Sequence, residues 1–195
     1  MQLIKLSLTL IFILAVGSPS FSKTKAPNQE SVVFAAGCFW GVEEIFRKVD
    51  GVVETGVGYT GGTTKNPTYG DTTTGKTGHA EAVEVIYDSK KVSFEKLLDL
   101  FFKMHDPTTL NAQGNDKGTQ YRSAIFYRSE KQKNEALAFV KKVEKSKAWK
   151  NPIVTEVTAA GIFFEAEEEH QKYLLRNPKG YDNHYLRKIS FDLKK

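Results

Sequence analysis

The apolar positions of this chain change period along its length, and each change predicts an element. Residues 31–36 form an apolar run of strand length, and Gly37-Cys38 is the turn out of it. Val42, Ile45, Phe46 and Val49 then recur at helical spacing until Asp50-Gly51 stops the pattern. Residues 52–59 alternate as a strand, and 80–87 make a second, stronger one. Ser93 can cap a helix whose stripe is Leu97, Leu98, Phe101 and Phe102. Residues 123–127 read as a strand, and Ser129 with Gln132 predicts a capping box for a helix carrying Ala136, Phe139, Val140 and Val143. A further strand is expected at 153–159 and a last helix at 163–175. Two polar stretches, 59–78 and 105–121, are rich in Gly, Asn, Thr and Asp and read as loops. Loops of that length in a compact domain are often functional. Strands alternating with helices, without repeats or low-complexity linkers, predict one α/β or α+β domain.

The first residues change the expected compartment. Lys5 precedes an apolar run at 6–16, and 17–22 is a stretch of mostly small residues. That is the order of regions in a signal peptide, with a run too short for a permanent membrane helix. A retained membrane anchor is the alternative. Ser20 and Ser22 suit cleavage, so residues 1–22 read as signal peptide and the mature start falls near Lys23. Residues 23–30, polar and containing Pro27, read as a flexible lead-in, and 31–195 as the domain. The expected product is exported, periplasmic or secreted, monomeric, and without stable membrane association. The net charge of +5 falls to +4 once Lys5 is removed with the signal peptide. The basic residues are scattered rather than striped, which argues against a nucleic-acid partner.

Candidate chemistry centres on Cys38, the one cysteine in the sequence. Exported proteins commonly pair their cysteines in disulfides, and a lone cysteine cannot do so within its own chain. At a helix start its thiol faces unpaired N–H groups and the positive end of the helix dipole, which predicts a lowered thiol pKa. Phe39 and Trp40 beside it suit a small apolar group. Glu81 begins the more apolar face of its strand, with Val83, Val85 and Tyr87, where a carboxyl group tends to keep its proton. Glu84 also lies beside apolar residues, and periodicity alone does not choose between them. The histidines, His79, His105, His170 and His184, could pair with Cys38 as a hydrolase dyad. His170 instead fits the stripe of the last predicted helix, His105 fits a helix C-cap, and His79 fits a loop-orienting role. The acidic run 165–169 reads as a solvated helix face. A hydrolase or peroxidase, a binding domain with Cys38 in its core, and a thiol reductase all remain open on these residues.

Several motifs narrow that choice. Gly37-Cys38-Phe39-Trp40-Gly41, Gly78-His79-Ala80-Glu81-Ala82-Val83 and the stretch from Gly114-Asn115-Asp116 to Gln120-Tyr121-Arg122-Ser123 closely resemble the A-class peptide methionine sulfoxide reductases. So do Gly58-Tyr59-Thr60-Gly61-Gly62, Asn66-Pro67-Thr68-Tyr69 and His105-Asp106-Pro107. The resemblance runs from about Val32 to Tyr181. It implies an α+β fold, a two-layer sandwich with a mixed sheet and a ferredoxin-like plait core. It implies that Cys38 attacks the sulfoxide sulfur and becomes a sulfenic acid. Protonated Glu81 would serve the sulfoxide oxygen, Tyr69 and Tyr121 would hydrogen-bond it, and Asp116 would order the polar wall. Phe39 and Trp40 would hold the methyl group and so select the S epimer. No bound cofactor or metal is implied. Many members resolve the sulfenic acid with a later cysteine, one of which follows a Gly-Tyr pair; here that position is Asp182. The implied partners are oxidised methionine, free or in proteins, and an external thiol reductant, glutathione/glutaredoxin-like or thioredoxin-like.

Overall fold

The apolar run at 31–36 becomes β1 (Gln29–Ala36), a central strand in a computed structural model that describes residues 27–192. The signal peptide read at 1–22 and the final lysines lie outside the described residues. β1 starts inside the stretch read as a lead-in, because Gln29 and Glu30 pair with Asp88 and Tyr87. Backbone pairing at the end of a sheet needs no apolar side chain.

The other elements follow the chain. They are α1 (Phe39–Phe46), β2 (Val52–Thr60), α2 (Tyr69–Thr73), β3 (Ala80–Asp88), α3 (Phe94–Met104), β4 (Ala112–Gln113) and β5 (Asp116–Lys117). After a 3-10 turn at Thr119–Tyr121 come β6 (Ser123–Tyr127), α4 (Glu130–Ser146), β7 (Glu156–Ala159), β8 (Phe164–Glu165) and α5 (Tyr173–Arg176). The six-stranded sheet has the order β7-β6-β1-β3-β2-β8. β6 and β7 run parallel and every other neighbouring pair is antiparallel, so the sheet is mixed. Within it β1-α1-β2 and β3-α3-β6 are two split βαβ units with strand order β6-β1-β3-β2, the ferredoxin-like plait. The expected α+β sandwich is the fold found.

One face of the sheet carries the helices. Phe34 stacks on Phe46 of α1 at 4.9 Å between ring centroids and on Phe101 of α3 at 5.1 Å. Phe102 of α3 stacks on Phe139 of α4 at 5.8 Å. Ser93 and Ser129 cap α3 and α4 by accepting from Lys96 N–H and Gln132 N–H. The capping box expected at Ser129 is only half formed. The Gln132 side-chain oxygen accepts from Arg128 N–H, one residue before the cap, and its amide donates to Ser31 O, tying α4 to β1. The opposite face is lined by Ala35, Ala80, Ala82 and Ala124, small enough for Phe163 and Ala160 to pack close.

Three further expectations change. The loop read at 59–78 contains α2, whose Thr68–Asp71 capping box closes its start. The loop at 105–121 folds into the β4–β5 hairpin and the 3-10 turn. The helix expected at 163–175 does not form. Phe164 and Glu165 pair with Tyr59 and Gly58 on the open edge of β2 instead, then isolated turns lead to α5. Lys172 takes a left-handed conformation (φ +51°), which prevents the turns from joining α5 as one helix. Helical spacing of Phe163, Ala166, His170 and Leu174 thus arose from packing against the sheet and α1.

Phe34→Ala is expected to lower the unfolding free energy by about 3–5 kcal/mol, seen as a lower urea midpoint with the fold otherwise retained.

Candidate active site

Gly37 turns the chain between β1 and α1 with φ +99°, and a Cβ there would meet the Gln113 side chain at 2.6 Å. The turn sets Cys38 at the N-cap of α1, 8% exposed. Gly41 is needed one turn later, because a Cβ would strike the Asp182 carboxylate and the His184 ring. The C-terminal segment therefore lies directly on the first turn of α1. The His184 Nε2–H donates to Ala36 O at 2.7 Å, which pins the backbone just before the Gly37-Cys38 turn.

Glu81 comes from β3 and is 1% exposed. Its Oε2 accepts from Phe39 N–H at 3.1 Å, so the carboxyl group sits at the helix start beside Cys38. Burial pushes its pKa up to about 8, with the Phe39 bond acting downward and the Asp116 charge upward. At neutral pH it mainly keeps its proton. Glu84, the alternative left open by periodicity, pairs with Arg128 at 2.6 Å away from this cluster.

Cys38 corrects an expectation. Its pKa is raised, chiefly by burial and then by the Glu81 charge, although the Trp40 N–H turned toward it acts the other way. The magnitudes explain the outcome. A helix terminus contributes ~0.3–1 kcal/mol, less than one pKa unit. Burial can move a group by about 3–5 units. Cys38 rests as a thiol beside a protonated acid.

The two loops come together beside this pair. They are joined where Thr119 Oγ1 donates to Gly75 O at 3.1 Å. Burial raises the Tyr69 and Tyr121 hydroxyl pKa values, and Glu81, Asp116 and Cys38 add to this in both, so all five groups share one electrostatic neighbourhood. Asp116 is held by Tyr181 OH and by Asn183 Nδ2, each at 2.9 Å. Phe39 and Trp40 form the aromatic side, with Trp40 stacked on Tyr173 at 3.8 Å. The seven residues expected from the sequence converge on one site.

Other residues join them that the sequence reading placed elsewhere. His170 is in a turn rather than on a helix stripe, and its Nδ1 accepts from Trp40 Nε1–H at 3.2 Å. Glu167, read as part of a solvated helix face, accepts from both Tyr59 OH and Tyr69 N–H. Tyr181 and Asn183 support Asp116, with no local pattern to mark them. His79 and His105 are engaged elsewhere. His79 accepts from Gly62 N–H and donates to Thr64 O, orienting the 61–79 loop. His105 donates to Phe101 O at 2.7 Å, and burial holds its pKa down at about 3.

A buried thiol, a protonated carboxylic acid bonded to its helix and an aromatic wall together define a thiol-dependent enzyme site. The chain belongs to the peptide methionine sulfoxide reductase family, whose model matches residues 30–194, and is accordingly an oxidoreductase of that class. It is 56% identical over 150 residues to the peptide methionine sulfoxide reductase MsrA of Methanothermobacter thermautotrophicus, covering 77% of this chain and 89% of the relative. The crystal structure of Mxr1 from Saccharomyces cerevisiae in reduced form superposes with a TM-score of 0.79 at 39% identity, covering 85% of this chain and 96% of that one. Mxr1 in complex with Trx2 matches with a TM-score of 0.59 at 27% identity, covering 87% and 97%.

Because the Glu81 pKa is near 8 in the fold and about 4.3 in an unfolded chain, the folded state holds the extra proton between those values. Stability from this group is present in full below about pH 4 and is lost as pH rises through about 8. Glu81→Gln, which keeps an acceptor for Phe39 N–H, is expected to gain roughly 4 kcal/mol on the wild type between pH 5 and 9. Urea unfolding across that range checks it; a constant difference would mean that Glu81 is ionised throughout.

Proposed function

We propose that this enzyme reduces methionine-S-sulfoxide, free and in proteins, through a sulfenic acid on Cys38. The observation that carries the reading is the Phe39 N–H bond to Glu81, which holds an acid that keeps its proton beside a buried thiol. A sulfoxide oxygen leaves readily only when protonated, so nucleophile and acid must meet at the same substrate. The Cys38 sulfur bonds to the sulfoxide sulfur while Glu81 gives its proton to the oxygen and recovers one from the thiol. The substrate S–O bond then breaks as the hydroxyl passes to Cys38, and the bond between the two sulfurs breaks with it, so Cys38 is oxidised by two electrons to the sulfenic acid as the methionine sulfur is reduced by two. Tyr69 and Tyr121 bind the oxygen, Asp116 orders that wall, and Phe39 and Trp40 take the methyl group. This handed placement is the basis for S-epimer selectivity.

An external thiol then displaces the hydroxyl of the sulfenic acid, releasing water and leaving a mixed disulfide that a second thiol reduces. The sequence has one cysteine, so a resolving cysteine must come from outside it. The likeness to Mxr1 in complex with Trx2 favours a thioredoxin-type reductant with its own cysteine pair over glutathione or a glutaredoxin-like protein. The signal-peptide pattern at 1–22 supports a repair enzyme for exported proteins, periplasmic or secreted.

A single-turnover assay tests the chemistry. Reduced protein mixed with each epimer of a blocked methionine sulfoxide, without added thiol, is expected to yield about one methionine per Cys38, the stoichiometry of one sulfenic acid. Only the S epimer should react, with loss of the free thiol. Glu81→Gln should slow this step by about 10²–10⁴-fold. No methionine from either epimer, with Cys38 still titrating as a thiol, would overturn the reading.

A further inference from the structure

We propose that Glu167 is a positioning residue for sulfoxide reduction, holding the oxygen-binding and methyl-binding walls of the site at a fixed separation. This rests on the functional reading above and extends it to a residue that touches no reacting atom. The Glu167 Oε1 accepts from Tyr69 N–H at 2.8 Å, and Oε2 accepts from Tyr59 OH at 2.8 Å. Tyr69 is the first residue of α2, where a backbone N–H has no partner within the helix. The Thr68–Asp71 box satisfies its neighbours from inside the loop, and Glu167 satisfies Tyr69 from the other side of the site. Tyr59 faces Glu81 directly across the β2–β3 ladder. The carboxylate thus ties the loop bearing Tyr69 to the strand pair bearing the acid.

The same turn reaches the methyl side. His170 N–H closes onto Glu167 O at 2.9 Å. Its ring packs on Tyr69 at 4.5 Å and accepts from Trp40 Nε1–H. With Nδ1 accepting, the neutral ring carries its proton on Nε2, which faces Glu167 Oε2 at 3.9 Å. Glu167 therefore sits where Tyr69, Tyr59 and the His170–Trp40 pair come together. Although burial acts upward, the bonds from Tyr69 and Tyr59 hold its carboxyl pKa below the ordinary value, consistent with a carboxylate committed to both.

The test compares Glu167→Ala, Glu167→Gln, Tyr69→Phe and the Glu167→Ala/Tyr69→Phe double variant. Each is assayed with blocked methionine-S-sulfoxide and dithiothreitol, alongside thermal unfolding. Glu167→Ala is expected to lower kcat/KM by about 10- to 100-fold, the cost of misplacing a binding group. Glu167→Gln, which can still accept from Tyr69 N–H, should recover most of it. In the Tyr69→Phe background the alanine change should cost less, because the hydroxyl that Glu167 places through the Tyr69 backbone is already gone. Amide exchange gives a readout independent of turnover. The Tyr69 N–H should exchange faster in Glu167→Ala and not in Glu167→Gln, while the Thr72 N–H, bonded to Thr68 O, serves as an internal control. Fully additive losses, or a folded Glu167→Ala with wild-type kcat/KM, would overturn the role of Glu167 alone. An inactive wild type would overturn the reductase reading and this role with it.

Discussion

The hydrogen bond from Phe39 N–H to Glu81 is the contact on which the site depends. It joins the first turn of α1 to β3 and leaves the carboxyl group in a place water does not reach. One bond to the backbone is too little to offset the loss of hydration for a carboxylate, so the group takes up a proton. That single displacement turns an ordinary glutamate into an acid at neutral pH. The residues around it serve to keep this arrangement closed and aligned.

Cys38 obeys the same constraint from the other side. Helix-start geometry alone would favour a thiolate, but burial of the sulfur outweighs it, and ionisation of Glu81 would add to the cost. Two groups that each resist ionisation form a poised pair, since the proton one must lose is the proton the other can pass on. In the proposed mechanism, charge develops where the substrate oxygen binds, rather than being stored in the resting enzyme. Tyr69 and Tyr121, whose hydroxyls also keep their protons, are suited to meet that charge as donors.

The plait supplies rigid positions and the loops supply the chemistry around them. β1 and β3 are central strands, so Cys38 and Glu81 are anchored by elements with hydrogen-bonded neighbours on both sides. The polar donors come from α2 and the 3-10 turn, short segments with little core of their own. They are held by contacts to distant parts of the chain: Glu167 for Tyr69, and Tyr181 with Asn183 for Asp116. The C-terminal segment that carries Asp182 and His184 packs on the first turn of α1, beside Cys38.

What could be read from the sequence was set by contacts between near neighbours. Amphipathic spacing marked α1, α3 and α4, alternation marked β2 and β3, and Gly37-Cys38 before a helical stripe marked the candidate nucleophile. The motifs around Glu81, Tyr69, Asp116 and Tyr121 located the remaining chemistry through their resemblance to a known family. Tertiary structure decided the rest. Residues 163–175 carry helical spacing, yet Phe164 and Glu165 pair as a strand on β2, covering an edge that a helix would leave open. Glu167 lies in a run of acidic residues that looks like a solvated face until Tyr59 and Tyr69, far away in sequence, arrive to donate to it. The sign of the Cys38 shift reversed for the same reason. The helix dipole is local and legible, whereas burial depends on which distant segments close over the sulfur, and burial is the larger effect.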